Sequence, residues 1–265
     1  MGLLTRNVRL RLTHGVVFWQ EVGRGVAIVF LHGNWQDSAQ WQGVLQRLGD
    51  RYHGLAPDLL GFGESDRPRL RYSIDLEVQV VMEWLEQLRL GSVFVVAEGV
   101  GAWVAAQLAL HHPERVKGLV LMAPEGVATK RDRWGWQRRL VGHVPLVGWG
   151  LQAIAPLIRQ FRWRKAQHWL AERRQLRRSP TACQILFRRR HRAIKAELLD
   201  SHLGSLKVPL LLLQSEGAAP DVVEMNRVYA TAPYAEMRLL EDGTFAEQEA
   251  AIAQVIHQWI GQQSF

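Results

Sequence analysis

The chain has 265 residues, 48% of them hydrophobic, which suits one large domain with a sizeable core and excludes an intrinsically disordered chain. A single cysteine, Cys183, excludes a disulfide framework and is typical of a reducing compartment, so a cytoplasmic location is expected. The net charge of +8 is uneven, because residues 130–200 hold 18 Lys and Arg against 4 Asp and Glu. A field of that size influences which partners a protein meets rather than which fold it adopts.

Hydrophobic patterning predicts strands that alternate with helices. In chain order, strands are predicted over 8–12, 16–22, 27–31, 54–57, 92–97, 116–122, 208–213 and 237–240. Helices are predicted over 38–48, 73–90, 100–110, 222–230 and 246–260, with Ser38 and Ser73 as N-caps of the first two. The strands over 92–97 and 116–122 are apolar throughout, which is typical of a parallel sheet covered by helices on both faces.

Residues 126–206 interrupt this alternation and are predicted to be helical, rich in Arg and rich in Trp. We refer to residues 126–206 as the insertion. The sequence therefore predicts an α/β core formed by 1–125 and 207–265, with a basic helical lid over 126–206.

Three stretches resemble the α/β-hydrolase superfamily. They are Val29-Phe30-Leu31-His32-Gly33, the run from Ala56 to Ser65, and the run from His112 to Leu121. The resemblance covers most of the chain outside the insertion and implies an α/β fold with a mostly parallel central sheet. It implies no particular substrate, because many chemistries share this scaffold.

The resemblance also locates the positions where the family carries its catalytic triad. The nucleophile stands in a Gly-x-Ser-x-Gly elbow, which here is Ala97-Glu98-Gly99-Val100-Gly101, so Gly99 replaces the serine. The acid position falls near Ala218, and the base position holds Thr244. Glycine and alanine offer no reactive group, and threonine cannot accept a proton near neutral pH. The later His257 is predicted to be an ordinary residue on the surface of the last helix.

The frame of an oxyanion pocket is predicted to remain. Its residues would be Asn34, Trp35, Glu98, Val100 and Glu125, with backbone N–H groups near Asn34 and at Val100 directed into the cavity. These loops are also explained if they only maintain the fold. Glu98 and Glu125 keep open a second hypothesis, a hydrolase of esters or other small apolar substrates with rearranged catalytic groups.

The insertion is predicted to be a docking face. Its residues are Arg138, Arg139, Trp149, Arg162, Trp163, Arg164, Arg173, Arg174, Arg188, Arg189 and Arg190. Arg and Trp flanking the apolar run 140–158 suit an interface with anionic lipid, or with an acidic protein. An ordinary lid with solvated arginines explains the apolar run but leaves the net charge of +14 without a counter-charge. Nucleic acid is the least favoured partner, because no nucleic-acid-binding module is visible.

Together these patterns predict a non-catalytic, α/β-hydrolase-like protein that binds a partner. The predicted partners are an acidic protein or an anionic membrane surface, with a small apolar ligand as a further candidate. Location on a membrane face as a peripheral protein follows from the same prediction. No metal and no cofactor is predicted.

Overall fold

The computed structural model describes residues 4–129, 133–141, 149–150, 153 and 164–263, with the backbone alone for 164–166. Eight strands of the described chain form one sheet. They are β1 (Arg6–Leu12), β2 (Gly15–Val22), β3 (Val26–Leu31), β4 (Tyr52–Pro57), β5 (Val93–Glu98), β6 (Val116–Met122), β7 (Leu210–Ser215) and β8 (Ala235–Leu240).

The sheet is mostly parallel. Its strand order is β1-β2-β4-β3-β5-β6-β7-β8, in which β1 and β2 form an antiparallel hairpin and β2 is antiparallel to β4. All other neighbouring pairs are parallel, with Val29 opposite Val95 and Leu119 opposite Leu210. This mostly parallel sheet confirms the predicted α/β fold. The prediction succeeded because strands that helices bury on both faces must be apolar along their whole length.

Helices cover both faces of the sheet. They are α1 (Gln42–Leu48), α2 (Ile74–Gln87), α3 (Gly99–His111), α4 (Gly135–Val141), α5 (Arg164–Arg178), α6 (Pro180–Cys183), α7 (His191–Ala196), α8 (Pro220–Tyr229) and α9 (Phe245–Gln262). Shorter turns lie at Ser38–Trp41, Pro113–Arg115 and Leu203–Ser205, and a π-helical turn at Gln184–Arg188.

The two predicted N-caps have different outcomes. Ser73 caps α2 as predicted, since its side chain accepts a hydrogen bond from the Leu76 N–H at 3.1 Å. The cap predicted at Ser38 is wrong, because Asp37 accepts from the Ala39 N–H at 3.0 Å instead. Ser38 is buried and its N–H donates to Asp58 at 2.6 Å, so its backbone is already committed to a neighbouring loop.

The core consists of two hydrophobic clusters, one on each face of the sheet. On one face, Trp41 from the turn before α1 and Trp259 from α9 pack with Phe30 and Phe94. On the other face, α2, α3 and the described helices of the insertion share a second cluster. The carboxyl ends of β3, β5 and β6 meet at one edge of the sheet, which in open α/β folds is where ligands bind.

Between β6 and β7 the described residues form helices and turns and contain no strand. The helical insertion predicted from the sequence is consistent with this arrangement, most clearly over residues 167–200. None of the helices formed by the described residues is long and apolar enough to cross a membrane.

Candidate functional site

Gly99 lies at the carboxyl end of β5, where the chain turns sharply into α3. Its φ is +54°, a left-handed conformation that glycine adopts without the steric cost paid by other residues. It begins α3 directly after the extended Glu98. The backbone therefore keeps the shape of a nucleophile elbow, while the tip of that elbow carries no side chain.

The side chain of Asn34 fills the space above Gly99. A Cβ atom on Gly99 would lie 2.6 Å from Asn34 Oδ1 and 3.2 Å from its backbone nitrogen. Asn34 Oδ1 accepts a hydrogen bond from the Val100 N–H at 2.7 Å. The Val100 N–H predicted to point into an open cavity is thus already hydrogen-bonded, and the prediction of an available donor there is wrong.

Asn34 continues into a polar network centred on Glu125. Asn34 Nδ2 donates to Glu125 Oε1 at 2.8 Å, and Arg133 Nη1 donates to the same oxygen at 2.9 Å. Arg133 also forms an ion pair with Asp221 at 2.6 Å, and Tyr229 donates its hydroxyl hydrogen to the Glu125 carbonyl at 2.6 Å. Burial raises the pKa of the Glu125 carboxyl, while the charge of Arg133 and the amide of Asn34 act in the opposite direction.

The other candidate carboxylate, Glu98, is engaged by a different partner. Gln40 Nε2 donates to Glu98 Oε2, and Gln40 Oε1 accepts from the Gly33 N–H at 2.9 Å. Burial raises the pKa of Glu98, and the hydrogen bond from Gln40 opposes that increase. Glu98 thus helps to hold the loop that follows β3.

The residues at the other two predicted triad positions, Thr244 and Ala218, lie outside this network. Thr244 is exposed and forms a capping box with Glu247 at the start of α9, with hydrogen bonds of 2.7 and 2.8 Å to the Glu247 carboxylate. Ala218 is half-buried in the turn after β7, where its N–H donates to the Ser215 carbonyl at 3.0 Å. Neither residue supplies a base or an acid to the elbow.

His257 does not supply a base to the elbow at Gly99. It lies in α9 beside Tyr52, with 2.8 Å between the Tyr52 hydroxyl and Nδ1. Tyr52 begins β4, whereas Gly99 follows the end of β5, and both strands run in the same direction. His257 therefore belongs to the opposite edge of the sheet. It is half-buried rather than an ordinary surface residue, so that prediction is wrong in detail.

A cleft of about 420 Å³ opens next to Glu125. Its lining is mainly apolar, with a few polar groups. The residues are Trp103, Glu125, Gly126, Val127, Ala128, Thr129, Arg133, Trp134, Arg138, Leu186, His191, Ile194, Leu198 and Met225. Trp35, predicted to belong to the pocket, lies outside this lining and packs its ring at 6.0 Å from Trp134. Volume and lining are of the kind found in small-molecule sites.

Sequence reasoning missed Arg133, which joins Glu125 to Asp221. The only signal in the sequence is its position eight residues after Glu125, within a segment that contains many other arginines. Tyr229 and Asp221 were also missed, because the helix that carries them lies about a hundred residues further along the chain.

The predicted docking residues divide into three groups. Arg138, Arg139, Arg174, Arg188 and Arg190 are exposed, and Trp149 is 60% exposed. Arg162 and Trp163 lie outside the described residues, as does the side chain of Arg164 and most of the apolar run 140–158.

Two arginines contradict the prediction of a solvent-facing docking residue. Arg173 is 8% exposed, and its Nε donates to the Leu140 carbonyl at 3.3 Å. Arg189 forms two hydrogen bonds of 2.6 Å with the buried carboxylate of Glu197, which also accepts from the Ile74 N–H at 3.3 Å. Arg189 therefore fixes the insertion against α2, because a buried carboxylate requires a counter-charge.

Comparison with known proteins gives relatives that share the fold. The family model described as "alpha/beta hydrolase fold" matches residues 26–142. An uncharacterized protein of Mycobacterium tuberculosis is 36% identical over 122 residues, covering 46% of this chain. The chain spans only 36% of the length of that relative.

Two further proteins that are similar to this chain are esterases. A pimeloyl-[acyl-carrier protein] methyl ester esterase of Aeromonas hydrophila is 32% identical over 173 residues, covering 58% of this chain and 64% of the esterase. The structure of a thermophilic esterase from Thermogutta terrifontis superposes with a TM-score of 0.74 at 19% identity, covering 98% of this chain and 100% of the esterase. At that identity the superposition shows a shared fold.

Proposed function

We propose that the chain is a member of the α/β-hydrolase superfamily that acts as a binding protein without hydrolase activity, a pseudoenzyme. The support is the family model that matches residues 26–142 and the elbow, which carries Gly99 beneath the amide of Asn34. One observation carries the proposal, the hydrogen bond from the Val100 N–H to Asn34 Oδ1. An oxyanion hole works only if its donors are free to meet the charge that develops in the transition state. Here a side chain of the protein already occupies that donor.

The loss of the nucleophile and the loss of the base support the same proposal. Triad residues act as a unit, so that removing one of them already abolishes most of the rate. Gly99 has no attacking atom, and Thr244 has become the cap of α9. The surrounding sheet and helices retain the scaffold, which leaves ligand or partner binding as its use.

The cleft beside Glu125 is the proposed site for a small apolar ligand. Trp103, Trp134 and Leu198 provide apolar surface, while Arg133 provides hydrogen-bond donors and Glu125 provides an acceptor. Such a mixture of apolar surface and a few polar groups orients a ligand without chemistry.

The exposed arginines of the insertion are the proposed docking face. Arg139, Arg174 and Arg190 face solvent, and the Trp149 ring is also accessible. Guanidinium groups attract anionic headgroups or carboxylates, and an exposed indole suits the headgroup level of a membrane. We propose that this face binds an anionic membrane surface, as a peripheral scaffold or assembly protein, with an acidic protein as the alternative partner.

A hydrolase with rearranged groups is the second candidate function. Its support is that burial raises the pKa of both Glu98 and Glu125, since a carboxyl that titrates nearer neutrality is a better general acid or base. The esterase among the relatives agrees with this reaction class.

Ester hydrolysis separates the two candidates. With p-nitrophenyl acetate and p-nitrophenyl octanoate, we expect the purified protein to give the same rate as Glu98→Gln and Glu125→Gln. These variants keep the shape of the side chain and remove its ability to act as a base. Turnover by the native protein that either variant abolishes would contradict the binding role and establish the hydrolase.

Docking is tested by flotation with vesicles. We expect recovery with vesicles containing phosphatidylglycerol and none with phosphatidylcholine alone, and a steep decrease as salt is raised, because exposed charges are screened over about 10 Å at 0.1 M salt. Equal recovery with both vesicle types would reject the lipid partner and leave an acidic protein as the partner to seek.

A further inference from the structure

The strand β8 forms an open edge of the sheet and carries exposed apolar side chains. It ends the strand order, and no other strand of the described chain pairs with its second edge. Met237 is 41% exposed and Leu239 is 61% exposed. The strand at the opposite end, β1, carries exposed arginines instead, at Arg6, Arg9 and Arg11. Charged residues on an edge strand hinder its pairing with another chain, whereas an apolar edge favours pairing.

The backbone groups of β8 alternate between the sheet and this open edge. The Tyr234 carbonyl accepts a hydrogen bond from the Leu210 N–H at 2.9 Å. The Leu240 carbonyl, six residues later, accepts from the Glu216 N–H at 3.0 Å. Since a strand alternates with a period of two, the even-numbered residues of β8 direct their N–H and C=O groups towards β7. The odd-numbered residues direct theirs to the open edge.

The side chains of β8 alternate between the two faces of the sheet. Leu240 packs in the hydrophobic cluster that includes α9, and Arg238 Nη2 donates to Gln262 Oε1 at the end of α9 at 3.2 Å. Glu236 lies on this face as well, because it is two residues before Arg238. The odd-numbered residues lie on the other face, where α8 packs on β7.

A second copy of the chain fits this edge in one antiparallel register. The backbone groups match when odd-numbered residues oppose odd-numbered residues across a two-fold axis. With the axis at Met237, Glu236 of each copy opposes Arg238 of the other copy. With the axis moved to Glu236 or to Arg238, like charges oppose each other at the axis, and larger shifts leave fewer residues paired. Charge therefore favours the register centred on Met237.

We infer that two copies of the chain form a dimer through β8, antiparallel about a two-fold axis at Met237. Glu236 and Arg238 then oppose each other as pairs without backbone hydrogen bonds, where side chains come closest, which suits an ion pair. The surface is complementary to itself, as a two-fold interface requires. The strands β6 and β7 separate this edge from β5, so the dimer is independent of the elbow at Gly99 and of the binding role proposed above.

Exchange of charges tests the register. Glu236→Arg and Arg238→Glu each place like charges opposite each other in a dimer of one variant, whereas a dimer formed by one copy of each variant regains both ion pairs. We expect each variant alone to self-associate about tenfold or more weakly than the native protein, and the equimolar mixture to recover association. Sedimentation equilibrium up to about 200 µM protein measures this, because dimer formation depends on concentration.

Oxidative crosslinking locates the axis. In Met237→Cys the two Cα atoms would lie about 5.5 Å apart, a distance that a disulfide spans, so a linked dimer is expected. Leu239→Cys is the matched control, because residue 239 of the second copy would lie four residues away along the strand, about 13 Å. The native Cys183 is buried and is common to both variants. Circular dichroism establishes that all variants are folded.

A native protein that stays monomeric at every concentration would overturn the inference, as would a dimer that neither charge change weakens. Failure of the mixed variants to associate, or crosslinking of Leu239→Cys as readily as Met237→Cys, would also reject this dimer. Recovery in the mixture together with crosslinking at position 237 alone would establish it.

Discussion

The side-chain amide of Asn34 makes two hydrogen bonds of opposite polarity. Its oxygen faces the N–H donor of Val100, and its nitrogen faces the acceptor oxygen of Glu125. No other orientation of the amide satisfies both partners, so the residue is fixed above Gly99. A side chain at position 99 and the amide of Asn34 would compete for one volume, which connects the absence of a side chain at Gly99 to the hydrogen bond that occupies the Val100 N–H.

This competition predicts non-additive effects of two substitutions. Gly99→Ala should destabilise the protein by about 2–3 kcal/mol, because it combines a positive φ with a contact of 2.6 Å to Asn34 Oδ1. In the background of Asn34→Ala the same change should cost about 1 kcal/mol less, since the contact with Oδ1 is removed while the positive φ and the 3.2 Å approach to the backbone nitrogen of residue 34 remain. Urea unfolding of the four proteins measures the coupling.

A coupling energy of zero in this cycle would contradict the close approach of Asn34 to Gly99. Gly91→Ala serves as the control, because a Cβ at Gly91 would meet nothing within 4 Å and its cost should be the same in both backgrounds.

The start of α9 is fixed by a capping box between Thr244 and Glu247. Thr244, at the position where the resemblance predicts the base, is the N-cap of an 18-residue helix, and Thr244 and Glu247 satisfy each other's donors there. The hydrogen bonds to the backbone and hydroxyl of Thr244 lower the pKa of Glu247, which keeps it ionised. The α9 helix carries Ile256 and Trp259 into the core, so its beginning matters for the whole face of the sheet.

Substitution of Thr244, the N-cap of α9, should change the free energy of unfolding and should not produce ester hydrolysis. Thr244→Ala should lower the free energy of unfolding by about 1 kcal/mol, whereas Thr244→Ser, which keeps the hydroxyl, should lower it far less. Thr244→His should resemble Thr244→Ala and produce no ester hydrolysis, because the elbow still lacks a nucleophile. Denaturant unfolding measures the change in stability, and the p-nitrophenyl ester assay measures hydrolysis. Hydrolysis by Thr244→His would contradict the prediction, because it would show that the elbow at Gly99 still supports catalysis.

At the scale of the whole molecule, stability should depend on pH through buried carboxyl groups. Glu77 is fully buried in α2, with the Leu60 N–H donating to one oxygen at 3.0 Å and no described partner for the other. Burial raises its pKa from 4.5 to about 8. Between pH 4.5 and about pH 8, Glu77 of the folded chain holds a proton that the unfolded chain has released. The free energy of unfolding therefore falls as the pH rises through this interval. The raised pKa values of Glu98 and Glu125 act with the same sign.

Glu77→Gln tests this dependence, because the amide keeps an acceptor for Leu60 and cannot ionise. Between about pH 5 and about pH 8.5 the melting temperature of the native protein should fall by roughly 5 °C more than that of the variant. Calorimetry at the two pH values compares the native protein, Glu77→Gln and the control variant Glu224→Gln. Glu224 is a half-buried carboxyl residue of α8. An equal fall in all three proteins would exclude Glu77 as the group responsible.

The sequence by itself determined the α/β fold and the residue types at the predicted triad positions. Strand and helix periodicity is a local property, so the parallel sheet, the positions of its strands and the cap at Ser73 follow from it. The absence of a nucleophile at Gly99 and of a base at Thr244 likewise follows from residue type once the elbow is located.

Only the tertiary structure decided what takes the place of those groups. The closure of the Val100 donor requires Asn34 from the loop after β3, and the network of Glu125 requires Arg133 from the insertion and Asp221 from α8. The division of the arginines into exposed, buried and paired residues depends on Leu140 and Glu197 in the same way. These contacts join residues far apart in the chain, and a pattern read along one segment carries no information about which distant side chain will meet it.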